Sequence, residues 1–202
     1  MKLVFTGIQG CGKGTQARLL VEKYGFTLLE MGQELRNIIA SGNELGNKIK
    51  GIIEAGNLVR PEIVGDVMKE ILEKQTNENL ILDGFIRNEG NKKSFEEIIT
   101  DYKVVFFELS KEKAIDRLLG RMYNPTSGET FPSGTINDPS TGKILIKRKD
   151  DNVEAILKRI EEFMNNTLPI AKKQKEEGKV ISVNADQSIE DFASEMVEKL
   201  GL

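Results

Sequence analysis

The chain of 202 residues contains no histidine and only one cysteine, Cys11. An intrachain disulfide is therefore impossible, and a zinc site built from cysteine and histidine is excluded. Histidine acid–base catalysis and Ser-His-Asp triads are excluded with it. No apolar run approaches the roughly 20 residues that a membrane-spanning helix needs, so no membrane partner is expected. Met1 leads straight into a strand-like segment, not into a charged stretch followed by a long apolar one. No signal peptide is expected, and a cytoplasmic location follows from that reading. Nor is positive charge in excess. The formal net charge is −3, which argues against nonspecific nucleic-acid binding. The one locally basic stretch, "KILIKRK" at Lys143–Lys149, reads as a solvated hairpin arm or as a phosphate binder. Otherwise the composition is ordinary, with 39% hydrophobic and 30% charged residues. It suits one large domain, or a core with inserts.

Glycine, by contrast, is concentrated. "GIQGCGKGT", Gly7–Thr15, holds four glycines in nine residues. Each costs about 0.5–1 kcal/mol relative to alanine inside a helix or strand, so a tight turn or a ligand approaching the backbone must compensate. The stretch lies between "KLVF", a short buried strand, and "KGTQARLLVEKY" (Lys13–Tyr24), whose apolar spacing is helical and which Gly25 can cap. Gly7-x4-Gly12-Lys13 between strand and helix is the context of a phosphate-binding loop. Its amides can point at phosphate oxygens, and the helix N-terminus adds positive potential. Lys13 would reach the β- and γ-phosphates, and Thr15 would assist with phosphate or Mg²⁺. The plainer alternative is a glycine-rich turn with a surface lysine. A switch-type GTPase is disfavoured, because "NKIK" (Asn47–Lys50) and "NKKS" (Asn91–Ser94) both lack the aspartate of a guanine reader.

Further along, "FTLLE" reads as a second strand, "GQELRNIIASG" and "ELGNKIKGIIEAG" as two short helices, and "RPEIVGDVMKEILEK" as a helix with proline in its first turn. "NLILDG" and "KVVFFEL" are continuous apolar runs, expected of central parallel strands. Ser110 can cap "KEKAIDRLLGRM". "KVISVN" is a fifth strand and "SIEDFASEMVEKLG" a closing helix. Strands alternating with helices predict a doubly wound parallel α/β sheet. One segment breaks the alternation. Tyr123 to Lys147 is rich in Pro, Gly, Ser, Thr and Asn, and a featureless loop that long is improbable, so a functional lid is expected there. The long helix that follows should bury Val153, Ile156, Leu157, Ile160 and Phe163, and Pro169 should bend or break it.

Taken together, these segments resemble the adenylate kinases of the nucleoside monophosphate kinase family, over essentially the whole chain. "GIQGCGKGTQA" is similar to the family's Gly-x-Pro-Gly-x-Gly-Lys-Gly-Thr-Gln, with Gln9 at the proline. "MGQELR" resembles Thr-Gly-Asp-x-Leu-Arg, "AGNLV" matches Ala-Gly-x-Leu-Val, and "LDGFIRN" resembles Leu-Asp-Gly-Phe-Pro-Arg-Thr, with Ile86 at the proline. "DRLLGR" and "KRKDD…KRI" resemble the arginine segments flanking the lid. The resemblance implies a P-loop fold with a five-stranded parallel sheet and two inserts. The core would be 1–29, 60–121 and 150–202, with a helical monophosphate-binding insert at 30–59 and a lid at 122–149. It implies transfer of the γ-phosphoryl group of Mg-ATP to AMP, giving two ADP, by a monomer.

By the same resemblance, ATP would meet Gly10, Cys11, Gly12, Lys13, Gly14, Thr15, Arg117, Arg121, Thr130, Phe131 and Gln187, with Arg117 packing on the base. AMP would meet Met31, Gly32, Arg36, Asn57, Leu58, Val59, Gly84, Phe85, Ile86, Arg87, Asn91, Arg148 and Arg159. Arg36 and Arg87 would hold the monophosphate. Arg121, Arg148 and Arg159 would close over the transferring group, and Asp83 would orient the hydrated Mg²⁺. The chemistry agrees, since phosphoryl transfer needs positioning and charge neutralisation more than a base, and arginine binds phosphate through a planar fork. Some relatives carry four zinc cysteines in the lid. Here Asn124, Ser127, Asp138 and Thr141 stand at those positions, so a polar network without zinc is expected. Met31 replaces the usual threonine and Asn91 the usual glutamine of the acceptor-base site, which implies looser rejection of other monophosphates. The competing readings are a kinase for another monophosphate, such as UMP or CMP, and a catalytically silent nucleotide-binding protein. The long lid weighs against the first, and the retained lysine, aspartate and arginines against the second.

Overall fold

The structure, a computed structural model, describes residues 1–148 and 150–202. Lys149, the last residue of the basic stretch and the expected lid boundary, lies outside the described residues. Five strands form a parallel sheet: β1 (Lys2–Gly7), β2 (Thr27–Glu30), β3 (Leu80–Asp83), β4 (Lys103–Glu108) and β7 (Val180–Asn184), in the order β2-β3-β1-β4-β7. The apolar runs of the central strands follow from burial on both faces. Leu3 and Phe5 of β1 enter one core while Val4 enters the other. Ile81 of β3 and Val105 and Phe107 of β4 join the first, and Leu80, Leu82 and Val104 the second.

The first core is covered by α1 (Lys13–Tyr24), α6 (Lys111–Gly120) and α9 (Ile189–Leu200), which contribute Leu20, Leu118 and Met196. The second is covered by α4 (Pro61–Glu73), through Val64, Val67 and Met68, and by α5 (Glu89–Glu96), through Phe95. Helix α5 is not legible in the sequence reading. It is eight residues of mostly polar sequence, started by the Asn88 side chain, which accepts from the Asn91 amide at 2.8 Å. The Ser110 cap is as expected, accepting from the Lys113 amide at 3.3 Å.

Two excursions leave the sheet. After β2, α2 (Met31–Ala40) and α3 (Glu44–Glu54) pack on each other; an added Cβ on Gly46 would lie 2.3 Å from the Ile38 carbonyl oxygen. After α6, the segment expected to be a lid is not featureless. Strands β5 (Met122–Tyr123) and β6 (Thr130–Phe131) pair, and bridges join Tyr123 to Ile146 and Asn137 to Ile144.

The helix after this excursion corrects one expectation. α7 (Val153–Glu162) buries Ala155, Ile156 and Ile160, and Phe163 follows them into the core, but Val153 and Leu157 are 58% and 46% exposed. The buried face is thus narrower than the apolar pattern, because only one side of the helix meets the core. The α-helix is interrupted directly ahead of Pro169, where a bend or break is expected. A π-helical turn, Phe163–Thr167, sits just ahead of α8 (Leu168–Glu176), and the proline occupies the first turn of α8, where its missing N–H costs least.

Candidate active site

The C-terminal ends of parallel strands deliver their loops to one edge of the sheet, where the chain can reverse direction and leave a crevice. Here the loops after β1, β2, β3 and β7, together with α6, α7 and the β5–β6 arm, line a cleft of about 870 Å³. The glycine-rich loop forms its floor. Gly10 and Gly12 have φ of 85° and 94°, a region that side chains disfavour, and an added Cβ on Gly10 would lie 2.9 Å from the Ala114 carbonyl oxygen. Gly12 caps α1, whose first amides face the cleft end. Lys13 Nζ donates to the carbonyls of Gly7 at 2.8 Å and Ile8 at 3.2 Å, and lies 3.4 Å from Cys11 Sγ. Burial pushes the Cys11 thiol pKa up, although Lys13 pulls it the other way, so this cysteine is a packing residue and not a thiolate.

All the residues that the sequence assigns to nucleotide or Mg²⁺ line this cleft except one. Phe85 is fully buried and meets Phe95 edge-on, ring centroids 6.1 Å apart, because the strand-end turn that opens Gly84, Ile86 and Arg87 to the cleft points the ring between them into the core. On one side wall, Arg117 donates to the Ala185 carbonyl at 3.1 Å, and Gln187 Nε2 donates to the Asn184 carbonyl at 2.9 Å. Thr130 and Phe131 of β6 line the cleft as well.

The arginines fall into two groups. Arg121 makes a two-pronged contact with Asp151, 2.9 and 2.7 Å. Arg159 reaches Asp151 at 2.7 Å, Asp150 Oδ2 at 3.2 Å and the Asp150 carbonyl at 2.6 Å. Arg148 is forked onto Asp150, Nε at 2.9 Å, and its guanidinium carbon stands 5.6 Å from the Tyr123 ring centroid. Burial would raise the Asp150 pKa, but Arg148 and then Arg159 outweigh it and bring it down to about 2. Burial acts the same way on Asp151 and is likewise outweighed, chiefly by Arg121. Both carboxylates are therefore ionised, and they hold three cations in one frame. Sequence reasoning did not assign them a role, although "KRKDD" placed two acids directly after the basic run.

Arg36 and Arg87 are different. Arg36 donates twice to the neutral Gln33 Oε1, at 3.2 and 2.8 Å. Arg87 makes no side-chain hydrogen bond or ion pair among the described residues. Burial, then Arg148, lowers the Arg36 pKa; burial lowers that of Arg87, with Asp83 opposing it. The π-helical turn fixes the Arg87 backbone, because Thr167 Oγ1 donates to its carbonyl at 2.7 Å. Asp83 ends β3 in register with Glu30 of β2. Burial, then Asp83, raises the Glu30 pKa, while Arg18, 3.4 Å away, opposes the rise.

The four polar residues expected to staple the arm are only partly a single network. Asn124 and Asp138, each 1% exposed, are linked directly at 2.5 Å. Asn124 Oδ1 also accepts from the amides of Thr126 and Ser127, and Asp138 Oδ1 accepts from the Ser140 amide, the Ser140 hydroxyl and the Thr141 amide. The hydroxyls of Ser127 and Thr141 instead accept from amides within their own turns, those of Glu129 and Lys143.

The comparisons with known proteins agree with this geometry. A sequence-family model described as adenylate kinase matches residues 5–179. The chain is 34% identical to an adenylate kinase of Fusobacterium nucleatum over an aligned length of 209, covering 100% of this chain and 99% of the relative. It is 34% identical to the Bacillus subtilis adenylate kinase over 214, covering 100% and 98%. A protein named UMP-CMP kinase 3 from Arabidopsis thaliana is 34% identical over 192, covering 94% of this chain and 84% of that one. A phosphate-binding loop facing a frame of arginines across one cleft, on a sheet of this order and with this match along its length, shows that the chain belongs to the adenylate kinase family.

Proposed function

We propose that the protein transfers the γ-phosphoryl group of ATP reversibly to AMP, giving two ADP. The observation that carries this reading is the joining of the Gly7–Thr15 loop, with Lys13, to Arg36, Arg87, Arg121, Arg148 and Arg159 around one cleft. Two nucleotides meeting at their phosphates concentrate negative charge, and this arrangement of cations answers it. ATP would lie along the glycine-rich loop toward Arg117 and Gln187. AMP would lie between α2, the Asn57–Val59 stretch and the Gly84–Arg87 turn. Lys13, Arg121, Arg148 and Arg159 would meet the charge that develops on the transferring group, and Arg36 and Arg87 would hold the acceptor phosphate.

Mg²⁺ fits as a companion of ATP. Thr15 in the first turn of α1 and Asp83 at the end of β3 both line the cleft, and oxygen donors of this kind suit a hydrated ion held largely by phosphate. The ion supplies charge neutralisation between the phosphates. The 122–149 arm would be a lid closing on the loaded cleft, and the 30–59 helices the monophosphate insert, on a core made of the rest. No helix is long and apolar enough to cross a membrane among the described residues; the protein would act on free nucleotides as a cytoplasmic monomer.

The test is product analysis with Mg-ATP and a panel of AMP, CMP, UMP and GMP, run beside the Lys13→Ala variant. ADP from AMP is expected to dominate. Lys13→Ala is expected to lose about 100-fold or more in kcat while melting normally, as loss of a transition-state charge partner does. Near-normal turnover in that variant would overturn the assignment of the loop.

A further inference from the structure

The glycine-rich loop opens with a β-turn. The Cys11 amide donates to the Ile8 carbonyl at 3.2 Å, and Gly10, third in the turn, has φ of 85°, while Gln9, second in the turn, has no positive φ. That is the type II pattern. Its third position calls for glycine, and its second favours proline, whose ring presets the φ that the turn needs. The second position here carries glutamine instead, and its side chain lines the cleft. Gln9 Oε1 is buried without a partner, and Nε2 makes no hydrogen bond among the described residues. A buried acceptor left unpaired is unfavourable in the empty cleft, and a group entering the cleft can relieve it.

The turn stands at a junction. It follows β1, which pairs with β3 in the register Phe5↔Asp83, and β3 leads into the Gly84–Arg87 turn. Directly beyond it, α1 begins at Lys13. Gln9 thus sits where the loop proposed for the donor phosphates meets the turn proposed for the acceptor phosphate. In the transfer, an acceptor phosphate oxygen bonds to the γ-phosphorus as the bond from that phosphorus to the β–γ bridging oxygen breaks, and the electron pair leaves with ADP. Charge is redistributed among oxygens, and the glutamine gives up no proton. A neutral amide can donate an N–H to such an oxygen without adding negative charge, and its carbonyl oxygen can accept from a guanidinium or a water brought in with the phosphates. We propose that Gln9 is a further contact of the transferring phosphoryl group, its Nε2 donating to a nonbridging oxygen and supplementing Lys13 and the arginines. This rests on the functional reading above, in which the two phosphates meet over this loop.

Two variants that keep the turn and remove the amide test it. Gln9→Met has similar reach and no donor, and Gln9→Pro suits the second position of the turn, so both are expected to melt no lower than the unaltered protein. Because the cations carry most of the stabilisation, each is expected to lower kcat only about tenfold, the lower end of what a hydrogen bond to a charged group contributes, with the KM for ATP and for AMP changed by less than about threefold. Gln9→Glu, of the same shape but negative, is expected to lose about 100-fold or more. Calorimetric titration of AMP into protein loaded with Mg-ADP and aluminium fluoride, a mimic of the transferring group, gives a readout without turnover. Gln9→Met is expected to form that complex about tenfold more weakly while binding Mg-ADP alone as before. Should one variant melt low, the other decides. Turnover within about twofold of the original in Gln9→Met and Gln9→Pro, or a rise in KM alone, overturns the contact. If the unaltered protein forms no ADP from AMP, the functional reading fails and takes this inference with it; normal turnover with silent variants removes only this inference.

Discussion

The two groups of arginines in the cleft hold the same side chain under opposite conditions. Arg121, Arg148 and Arg159, the group proposed for the transfer end, are locked to Asp150 and Asp151. Arg36 and Arg87, the group proposed for the acceptor end, reach no carboxylate within ion-pairing distance among the described residues. The paired arginines are held in position before any nucleotide arrives, which suits a step whose barrier depends on preorganised charge. The unpaired ones leave positive charge without an ion pair in a partly enclosed place. That is unfavourable for the empty protein and favourable for an arriving phosphate, so affinity at this end would come from relieving an imbalance already present.

The sharpest way to break this contrast is to remove Asp151, whose side chain is 2% exposed. Asp151→Ala leaves Arg121 and Arg159 without their shared partner. Stranding buried charges costs about 3–5 kcal/mol, so the melting temperature should fall clearly. Misplaced arginines should also lower kcat by about 100-fold or more. Steady-state kinetics beside thermal melting decides it. A variant turning over within about threefold of the original would show that the frame does not serve the transfer step.

The opposite sign is expected at the other end. Arg87→Met should raise the KM for AMP by about 10- to 100-fold, the worth of a hydrogen bond to a charged group. Yet the melting temperature of the empty protein should hold or rise, because an unpaired, partly enclosed cation is replaced by an apolar side chain. Measuring both on one sample is decisive. A clear fall in melting temperature would mean that Arg87 has a structural partner and that the contrast is wrong.

Why the contrast escaped the sequence is instructive. The strands were legible because burial on both faces writes itself as runs such as "NLILDG", and the phosphate loop because glycines at fixed spacing between strand and helix have few other uses. The arginines were legible by order and resemblance. Their partners were not: nothing in "KRKDD" says that two acids turn inward to hold three arginines drawn from separate segments of the chain. Helix α5 was missed because just Asn91 and Phe95 of it are buried, too few to leave a period. Val153 and Leu157 misled because apolar spacing reports a possible buried face, not the presence of a neighbour to cover it.

A smaller effect tests whether the transfer-end arm stands on its own. Asp138 is held well below the usual carboxylate range, first by Ser140, with Asn124 and Thr141 adding to it against its burial. A depressed carboxylate contributes stability above its unfolded pKa, near 4, and loses it as the pH falls through the lower folded value. The arm should therefore keep this support throughout the neutral and mildly acidic range. Asp138→Ala should lower the melting temperature by a few degrees. A chelator should leave the unaltered protein's melting curve where it was, since the network uses no soft ligand. Stoichiometric zinc in a metal analysis, or a melting curve that shifts with chelator, would remove the polar-network account.

The smallest effect concerns the acceptor base and refines what the acceptor end contributes beyond charge. Met31 is 1% exposed and packs in the same apolar cluster as Leu35 and Val59, so it offers a base a thin thioether contact and no hydroxyl. Asn91 is 2% exposed, and its Nδ2 has no partner among the described residues. An amide left with an unmatched hydrogen-bonding atom beside an apolar wall can satisfy itself on a ligand, but it fixes fewer atoms than an amide and a hydroxyl together. Sites that hydrogen-bond a substrate reject its analogues far better than sites that only pack against it. AMP should therefore remain the best acceptor, with CMP, UMP and GMP rejected loosely, while the phosphate grip proposed for Arg36 and Arg87 would be common to all four. Met31→Thr should sharpen the preference for AMP by roughly 3- to 10-fold in kcat/KM, the worth of about one neutral hydrogen bond, with little change in kcat. If the unaltered protein already discriminates as sharply as the threonine variant, Met31 serves packing alone, and the base is read by the backbone around Gly56–Val59 and Gly84.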